Sequence, residues 1–338
     1  MRWIFLFLIF TCQYAFSQAI EWKNIPTQTE ASFRGLSVVD DNVAWVSGSK
    51  GTVGKTTNGG ESWDFKQVKG FETLDFRSLY AFDRDTALIA NAGFPARIFR
   101  TNDGGKSWIQ VYSNPDSAAF FDGIDFWNGT EGIAFGDPIK GKMLLLRTHD
   151  GGRTWEELEE NRRPVLEAGE ASFAASGTTI RCLNNWEVVI ATGGKISRFW
   201  VSMDTGQTWK ASYTPVIQGK NSTGVFSFAF WDKKQGLLVG GDYLQDTLKK
   251  DHVFYSKDSG KTWLPPFGPT RGYRECVEYL NEKLAVAIGP GGSDYSPDGG
   301  LHWKPLSDEK GFHVVRKARK GKLVIAAGGK GRMAVLKY

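Results

Sequence analysis

The densest cluster of residues that could do chemistry is the segment Thr270–Glu275. It holds Arg271 and Arg274 together with Tyr273 and Glu275. Guanidinium groups form paired hydrogen bonds with carboxylates and phosphates. This segment is therefore the best single candidate for a binding site, and its expected ligand is a carboxylate, a phosphate or an acidic protein segment.

A second candidate set recurs along the chain, one residue after an aromatic that begins a predicted strand. The aromatics are Phe33, Phe76, Phe121, Phe173, Phe226, Tyr273 and Phe312. The residues that follow them are Arg34, Arg77, Asp122, Ala174, Ser227, Arg274 and His313. Because side chains alternate along a strand, the aromatics should enter a core and their neighbours should face the opposite way. Because the set contains three arginines and a histidine, the sequence predicts a mainly cationic ring. The alternative is that the arginines only pair with acids such as Glu170, Glu275 or Asp137.

A third set consists of acids in loops after predicted strands, namely Asp137, Asp242 and Asp294. Each lies in a loop that also carries glycine or serine, which favours a turn residue over a catalytic acid. The competing hypothesis is a carbohydrate-active glycoside hydrolase, which needs two carboxyls at a suitable separation. Its candidate acids are Asp122, Asp137, Asp242, Glu275 and Asp294.

Other kinds of chemistry find no support in the residues. The chain has no Gly-x-Ser-x-Gly elbow, no phosphate-binding loop, no His-x-x-x-His pair and no dinucleotide fingerprint. It has only four histidines, and its net charge of +5 is spread along the chain without dense basic runs. We therefore expect no cofactor, no metal site, no nucleic-acid partner and no oxidoreductase activity.

A repeat in the sequence predicts the strands and turns that must position these residues. Six segments share the pattern Thr/Ser-x-Asp/Asn-x-Gly-x-x-Trp, and they end at Trp63, Trp108, Trp155, Trp209, Trp263 and Trp303. The third positions are Asn58, Asp103, Asp150, Asp204, Asp258 and Asp298. The Asp or Asn can accept backbone hydrogen bonds within its own turn, the glycine supplies a positive φ, and the tryptophan packs between sheets. Six near-identical turns around a ring, five of them with an acid at this position, are structural, so the acids of these boxes are not assigned to catalysis.

The spacing of the tryptophans, 40 to 54 residues, is the length of a four-stranded propeller blade. The segment around Trp22 resembles the strand after such a turn, and residues 312–338 read as three strands that lack this fourth one. One blade built from both ends accounts for both observations and removes exposed sheet edges. The sequence thus predicts an all-β, seven-bladed propeller from 18 to 338 as a single domain and a monomer.

Residues 1–17 have the pattern of a signal peptide, with Arg2, an apolar run and small residues before Gln18. The competing interpretation is a lipid anchor at Cys12. The apolar run is too short for a membrane span, and we expect a periplasmic or extracellular protein. The remaining cysteines, Cys182 and Cys276, are expected to be two separate buried thiols.

The chain resembles the photosystem II stability and assembly factor-like propellers within the wider family of BNR or Asp-box repeats. Besides the boxes, the resemblance rests on Gly136-Asp137-Pro138, Ala191–Gly194, Gly224–Ser227, Gly240–Tyr243, Gly272–Arg274 and Gly328–Arg332. It implies a non-enzymatic scaffold that binds a protein. Sialidases share the boxes, but Pro95-Ala96-Arg97-Ile98 is followed by Phe99 where their motif requires proline.

Overall fold

The computed structural model describes residues 19–184 and 186–338. The predicted signal peptide at 1–17 and the alternative anchor at Cys12 lie outside the described residues. Within them, the only helix is a single 3₁₀ turn, Glu160–Arg162. No helix in this part of the chain is long and apolar enough to cross a membrane.

Seven antiparallel sheets follow one another along the chain, each forming one blade. After β1 (Glu21–Ile25), the first blade contains β2 (Phe33–Val38), β3 (Ala44–Gly48), β4 (Thr52–Thr56) and β5 (Asp64–Gln67). The second contains β6 (Phe76–Ala81), β7 (Ala87–Asn91), β8 (Ala96–Thr101) and β9 (Ile109–Asn114). The third contains β10 (Phe121–Phe126), β11 (Gly132–Ile139), β12 (Lys142–Thr148) and β13 (Glu156–Glu157).

The later blades are less regular. Two short strands, β14 (Glu170–Ala171) and β17 (Gly193–Gly194), extend the sheet of the fifth blade. The fourth blade contains β15 (Ile180–Leu183), β16 (Glu187–Ala191), β18 (Arg198–Ser202) and β19 (Lys210–Tyr213). The fifth contains β20 (Thr223–Phe230), β21 (Gly236–Asp242) and β22 (Val253–Ser256). The sixth contains β23 (Cys276–Tyr279), β24 (Ala285–Gly289), β25 (Gly292–Ser296) and β26 (Lys304–Ser307).

The seventh blade is built from both ends of the described chain, as the sequence predicts. Its strands β27 (Phe312–Lys317), β28 (Val324–Gly328) and β29 (Met333–Lys337) are completed by β1. Trp22 lies opposite Leu336 in this pairing, and its indole Nε1 donates to Ser293 Oγ of the sixth blade at 2.9 Å. The expected seven-bladed fold and its closure are confirmed.

The box turns have the predicted internal geometry. In the third box, Asp150 Oδ1 accepts the backbone N–H groups of Arg153 at 2.9 Å and Thr154 at 3.0 Å. Thr148 Oγ1 donates to the same oxygen at 2.9 Å and accepts the N–H of Gly152 at 2.9 Å. The glycines at this position of the six boxes have φ between 74° and 100°, which a side chain would disfavour. Each turn therefore holds its two outer strands through its own side chains.

The starts of three inner strands differ from the prediction. The fourth blade begins its inner strand near Ile180 and not at Phe173. In the fifth blade Val225, not Phe226, pairs with Gly240 in the place that the other blades give to their aromatic. In the sixth blade Arg274 takes this place, because its Cα lies beside Gly289 as Phe33 Cα lies beside Gly48. Tertiary structure causes these differences. The first residue of an inner strand is set by its close approach to a glycine of the neighbouring strand, and an aromatic residue in the sequence does not reveal that approach.

Both described cysteines are free. Cys276 is buried, and its thiol contacts the backbone of Val315 in the next blade at 3.4 Å. Cys182 is half-buried. The expected separation of the two thiols agrees with their placement in different blades, whereas the expected burial holds for Cys276 and only partly for Cys182.

The box hydrogen bonds should be measurable in stability. Asp150→Ala removes an acceptor of several hydrogen bonds and should lower the free energy of unfolding by about 1–3 kcal/mol. Burial opposes ionisation of Asp150, but hydrogen bonds from Thr154 outweigh it and lower its pKa to about 2. Since this pKa lies below the ordinary value of 3.8, the carboxylate's contribution should be full at neutral pH and lost as the pH falls through about 2.

Urea unfolding of the wild type and the variant at several pH values measures this difference. Asp150→Asn is the matched control, because the first box uses Asn58, whose Oδ1 accepts the Ser62 N–H at 3.0 Å. It should retain most of the stability. Equal unfolding midpoints for the wild type and Asp150→Ala at pH 7 would contradict a stabilising role of the turn.

Candidate functional site

The start of each inner strand brings one side chain to the mouth of the central channel. In five blades a β-bulge marks this residue, which is skipped in the pairing with the second strand. With the equivalent residues of the other two blades, these side chains form the mouth ring. Its members in blade order are Arg34, Arg77, Asp122, Thr178, Phe226, Glu275 and His313. The mouth is therefore less cationic than the sequence predicts.

Three predicted ring members lie elsewhere. Ala174 is buried in the segment that precedes the fourth inner strand. Ser227 Oγ is turned toward the next blade, where it accepts the Val277 N–H at 3.0 Å. Arg274 is 1% exposed and faces Asp294 inside the sixth blade. These corrections follow directly from the shifted strand starts.

The mouth is occupied by residues 172–177 of the chain itself, which we call the plug. The Ala175 carbonyl accepts Arg34 Nη1 at 2.8 Å, and the Gly177 carbonyl accepts Arg316 Nη2 at 3.1 Å. Ser176 Oγ donates to the Glu275 carbonyl at 3.0 Å. These contacts tie the plug to the first, sixth and seventh blades, on the far side of the ring from its own blade. The channel is thus blocked at the level of the mouth ring.

The N-terminal end of the plug is anchored by two sets of contacts. Phe173 stacks on Phe226 with ring centroids 3.9 Å apart. Upstream, the buried Glu170 accepts Thr192 Oγ1 at 2.6 Å and Trp200 Nε1 at 3.1 Å, and it forms an ion pair with Arg198. Burial opposes ionisation of Glu170, but the bonds from Arg198 and Thr192 outweigh it and lower the pKa of this carboxyl. The acid is therefore held as a charged anchor.

The basic members of the mouth ring are largely paired. Glu275 Oε2 lies 3.5 Å from Arg34 Nη1 and 2.6 Å from His313 Nδ1. Arg77 Nε lies 2.7 Å from Asp75 Oδ2, with about a third of the arginine side chain exposed. The simpler interpretation of the arginines, pairing with nearby acids, thus describes much of their environment.

Asp122 is the exception in the mouth ring. It is fully buried, and neither carboxylate oxygen has a hydrogen-bond partner among the described residues. Burial and repulsion from Asp137 raise the pKa of Asp122 well above its ordinary value. Burial likewise raises the pKa of Asp137, whose Oδ1 accepts the Ser172 N–H of the plug at 3.2 Å. Two acids whose pKa values are raised therefore lie close enough to repel each other, and one of them, Asp137, contacts the plug.

The other acidic candidates support the backbone or hold arginines. Asp242 is buried, and its Oδ1 accepts the Leu244 N–H at 3.0 Å, as in a turn. Asp294 is buried and accepts Arg271 Nε at 2.9 Å and Arg274 Nε at 2.8 Å. Tyr273 is buried too and packs edge-on against the ring of Phe226. The segment Thr270–Glu275 is therefore a packed part of the sixth blade, with Glu275 as its member in the mouth ring.

A second charged ring lies deeper in the channel, and the sequence analysis missed it. Each member stands three residues after a member of the mouth ring. The polar members are Ser37, Tyr80, Asp125, Arg181, Glu278 and Arg316. With Arg319, they line a cavity of about 120 Å³. The constant spacing is visible in the sequence, but only when the inner strands are placed in their true register.

Ion pairs and hydrogen bonds organise this second ring. Glu278 Oε2 lies 3.3 Å from Arg181 Nη2 and 3.7 Å from Arg316 Nη1. The Arg319 guanidinium lies over the Tyr80 ring, 4.7 Å from its centroid. Burial raises the pKa of Glu278 and of Asp125. No group of three or more His, Cys, Asp or Glu side chains in the described ranges is arranged to hold a metal ion.

Comparison with known proteins gives one consistent relationship. The profile of a family described as photosynthesis system II assembly factor YCF48 matches residues 15–117. A structure of YCF48 bound to a D1 peptide is 18% identical, with a TM-score of 0.68, over 94% of this chain and 97% of that one. The chain resembles the photosystem II assembly factor YCF48. YCF48 from Cyanidioschyzon merolae gives 17% identity and a TM-score of 0.68, over 93% of this chain and 98% of the other.

Enzymes also share the propeller fold. The GH74 xyloglucanase from Xanthomonas campestris is 13% identical, with a TM-score of 0.61, over 93% of this chain but only 53% of that enzyme. At this identity the likeness concerns the fold alone. Comparison with curated protein sequences gives no significant match. A YCF48-like propeller fold is thus established, and the ligand must be argued from the site.

The buried pair in the sixth blade generates a stability prediction. Arg274→Ala leaves Asp294 with less compensation in a buried place and should lower the free energy of unfolding by about 3 kcal/mol or more. Arg77→Ala removes a partly exposed pair and should change it by less than about 1 kcal/mol. Denaturant unfolding of both variants compares them directly. Similar losses for the two would show that Arg274 is not a buried structural residue.

The buried acid of the mouth ring generates a pH prediction. Because its pKa is raised in the folded protein, Asp122 destabilises the fold increasingly as the pH rises above the unfolded value near 3.8. Asp122→Asn should therefore stabilise the protein at pH 7 and have little effect near pH 3.5. Thermal unfolding of both proteins across this range measures the difference. A gain in stability that does not change with pH would contradict the assignment.

Proposed function

We propose that this chain is an exported, non-enzymatic scaffold that binds a carboxylate-rich protein segment on the face around the channel mouth. The observation that carries the proposal is a set of exposed lysines on that face. Lys50, Lys140 and Lys330 lie at the tips of the hairpins β3–β4, β11–β12 and β28–β29. Among the described residues, none of the three has an acidic partner within 4.0 Å.

The backbone holds these lysines outward. All three have positive φ, at 59°, 51° and 57°, so they sit at the turns and not within the strands. Arg77, from the intervening second blade, adds a partly exposed guanidinium to the same face. Basic groups from the seventh, first, second and third blades therefore lie along one arc, which suits an extended acidic segment.

The plug favours a peptide as the ligand. The mouth already accommodates one stretch of backbone, whose carbonyls are bound by Arg34 and Arg316. A partner therefore meets a surface and not an open channel. The similar YCF48 has been solved with a D1 peptide, which supports peptide binding as a property of this kind of propeller. Export is supported by the pattern of residues 1–17 alone.

A hydrolase with paired carboxylates is the less favoured candidate. Its strongest support is the coupling of Asp122 and Asp137. However, Asp122, Asp242 and Asp294 are at most 1% exposed, and Asp137 bonds to the plug. A substrate would first have to displace residues 172–177. Loss of glycan hydrolysis in Asp137→Asn, with folding intact, would favour the hydrolase over the scaffold.

Binding of a labelled hexaglutamate peptide tests the proposed function. The triple variant Lys50→Gln, Lys140→Gln, Lys330→Gln should bind about tenfold more weakly in 50 mM salt, as expected from three exposed charge contacts of about 0.5 kcal/mol each. The difference should shrink at 500 mM salt because ions screen exposed charges.

The control carries the same change of charge on the opposite face. Lys106→Gln, Lys261→Gln, Lys283→Gln alters exposed lysines in box turns and in a loop beside them. It should bind hexaglutamate like the wild type. Equal weakening by the two triple variants would show that only net charge matters and would overturn the assignment to the mouth face.

A further inference from the structure

One gap between blades is less well filled than four of the others. In each of these four, the second-strand residue that pairs with the residue just before its own blade's box lies against the box glycine of the next blade. The filled gaps pair Trp45 with Gly105, Leu88 with Gly152, Ile133 with Gly206 and Leu237 with Gly300, with 2.1–3.4 Å between the side chain and the place a glycine Cβ would take. In the fourth blade this residue is Val189. At its counterpart Gly260, the three nearest atoms belong to Trp263 and Phe230.

The short valine leaves a hollow, which we call the 4–5 notch. Its volume is about 270 Å³, and it opens between the fourth and fifth blades on the face that carries the boxes. Four aromatic side chains line it, namely Phe199, Phe230, Trp231 and Trp263. Phe199 and Trp263 stack on each other with ring centroids 5.4 Å apart, which leaves the exposed ring of Trp231 as the aromatic surface most open to a ligand.

Trp231 is more exposed to solvent than Trp127, its counterpart in the third blade. Trp127 follows the third inner strand as Trp231 follows the fifth, and it is 9% exposed against 42% for Trp231. The Arg147 guanidinium lies over the Trp127 ring, 4.7 Å from its centroid, and Trp127 Nε1 donates to the Glu187 carbonyl at 2.7 Å. A cation thus already covers this tryptophan in the third blade. The ring at the notch lacks such a cover among the described residues.

The charged rim of the notch favours a cation. Glu187, Asp232 and Lys233 line it, which leaves an excess of one negative charge. Each acid accepts hydrogen bonds through one oxygen: Glu187 Oε2 accepts Asn184 Nδ2 at 2.9 Å, and Asp232 Oδ1 accepts the Gln235 N–H at 2.6 Å. A primary ammonium donates three hydrogen bonds and is bound best where acceptors surround it, whereas the walls of this notch include four aromatic rings. An alkylated ammonium needs no acceptors, since it interacts through charge and ring faces.

We propose that the 4–5 notch binds a small quaternary ammonium compound. The trimethylammonium head enters the aromatic hollow beside Val189, and the rim acids supply long-range attraction. The site lies on the face opposite the channel mouth, so it is independent of the peptide surface proposed above. Binding is non-covalent and requires no other component.

Titration of the protein with choline, followed by tryptophan fluorescence, tests the proposal. The neutral isostere 3,3-dimethyl-1-butanol has the same shape without the charge. We expect choline to bind about tenfold more tightly than this alcohol, in line with a desolvated cation over aromatic faces. Equal affinities for choline and the alcohol would overturn the proposal. So would the absence of saturable choline binding up to about 50 mM, a concentration that covers weak ligands.

Variants that fill or open the notch separate binding from folding. Val189→Ile should abolish choline binding while the melting temperature stays the same or rises, because the added methyl group occupies the hollow. Trp231→Ala should also abolish it. Trp186→Ala is the control, since this tryptophan is exposed on a neighbouring loop but does not line the notch. Unchanged choline binding in Val189→Ile, or equal loss in Trp186→Ala, would show that the notch is not the site.

Discussion

The pairing of β1 with β29 is the constraint on which the remaining structure depends. Five residue pairs, from Glu21 with Lys337 to Ile25 with Met333, complete the last sheet. A closed ring has no free inner edges, and it places all seven inner strands around one axis. Side chains far apart in sequence then meet across the mouth, as Arg34 and Glu275 do. Closure thus creates a place where every blade contributes to one site.

Closure also creates a hollow that the chain must fill or leave to solvent. The third and fourth blades are joined by a long connection, and its last residues form the plug. Buried backbone needs hydrogen-bond partners, and backbone groups of the plug find them in Arg34, Arg316 and Asp137. Arg34 of the mouth ring and Arg316 of the deeper ring serve this internal task. In the function proposed above, recognition of another molecule is therefore assigned to the tips of the hairpins.

The sequence predicts whatever is local and repeated. The box turns depend on residues within one short segment, so their number, the blade count and the closing strand at Trp22 follow from pattern alone. The inner-strand register is not local, because it depends on which residue approaches a glycine of the next strand. Phe173 imitates a strand start but belongs to the plug, and Arg274 replaces the expected aromatic. Correct register at these blades would also have exposed the second ring, three residues after the first.

The seven blades share one geometry, so equivalent positions in different blades can be compared directly. A residue that matches its equivalents needs no explanation beyond packing. Val189 differs from Trp45, Leu88, Ile133 and Leu237 in being too short for its gap, and Asp122 differs from its ring partners in being buried without a hydrogen bond. Neither difference improves stability, since an unfilled gap loses contacts and an unpartnered buried acid resists ionisation. Positions that depart from the repeat at the expense of stability are where a repeat protein has room for function, and here they lie at two separate places on the ring.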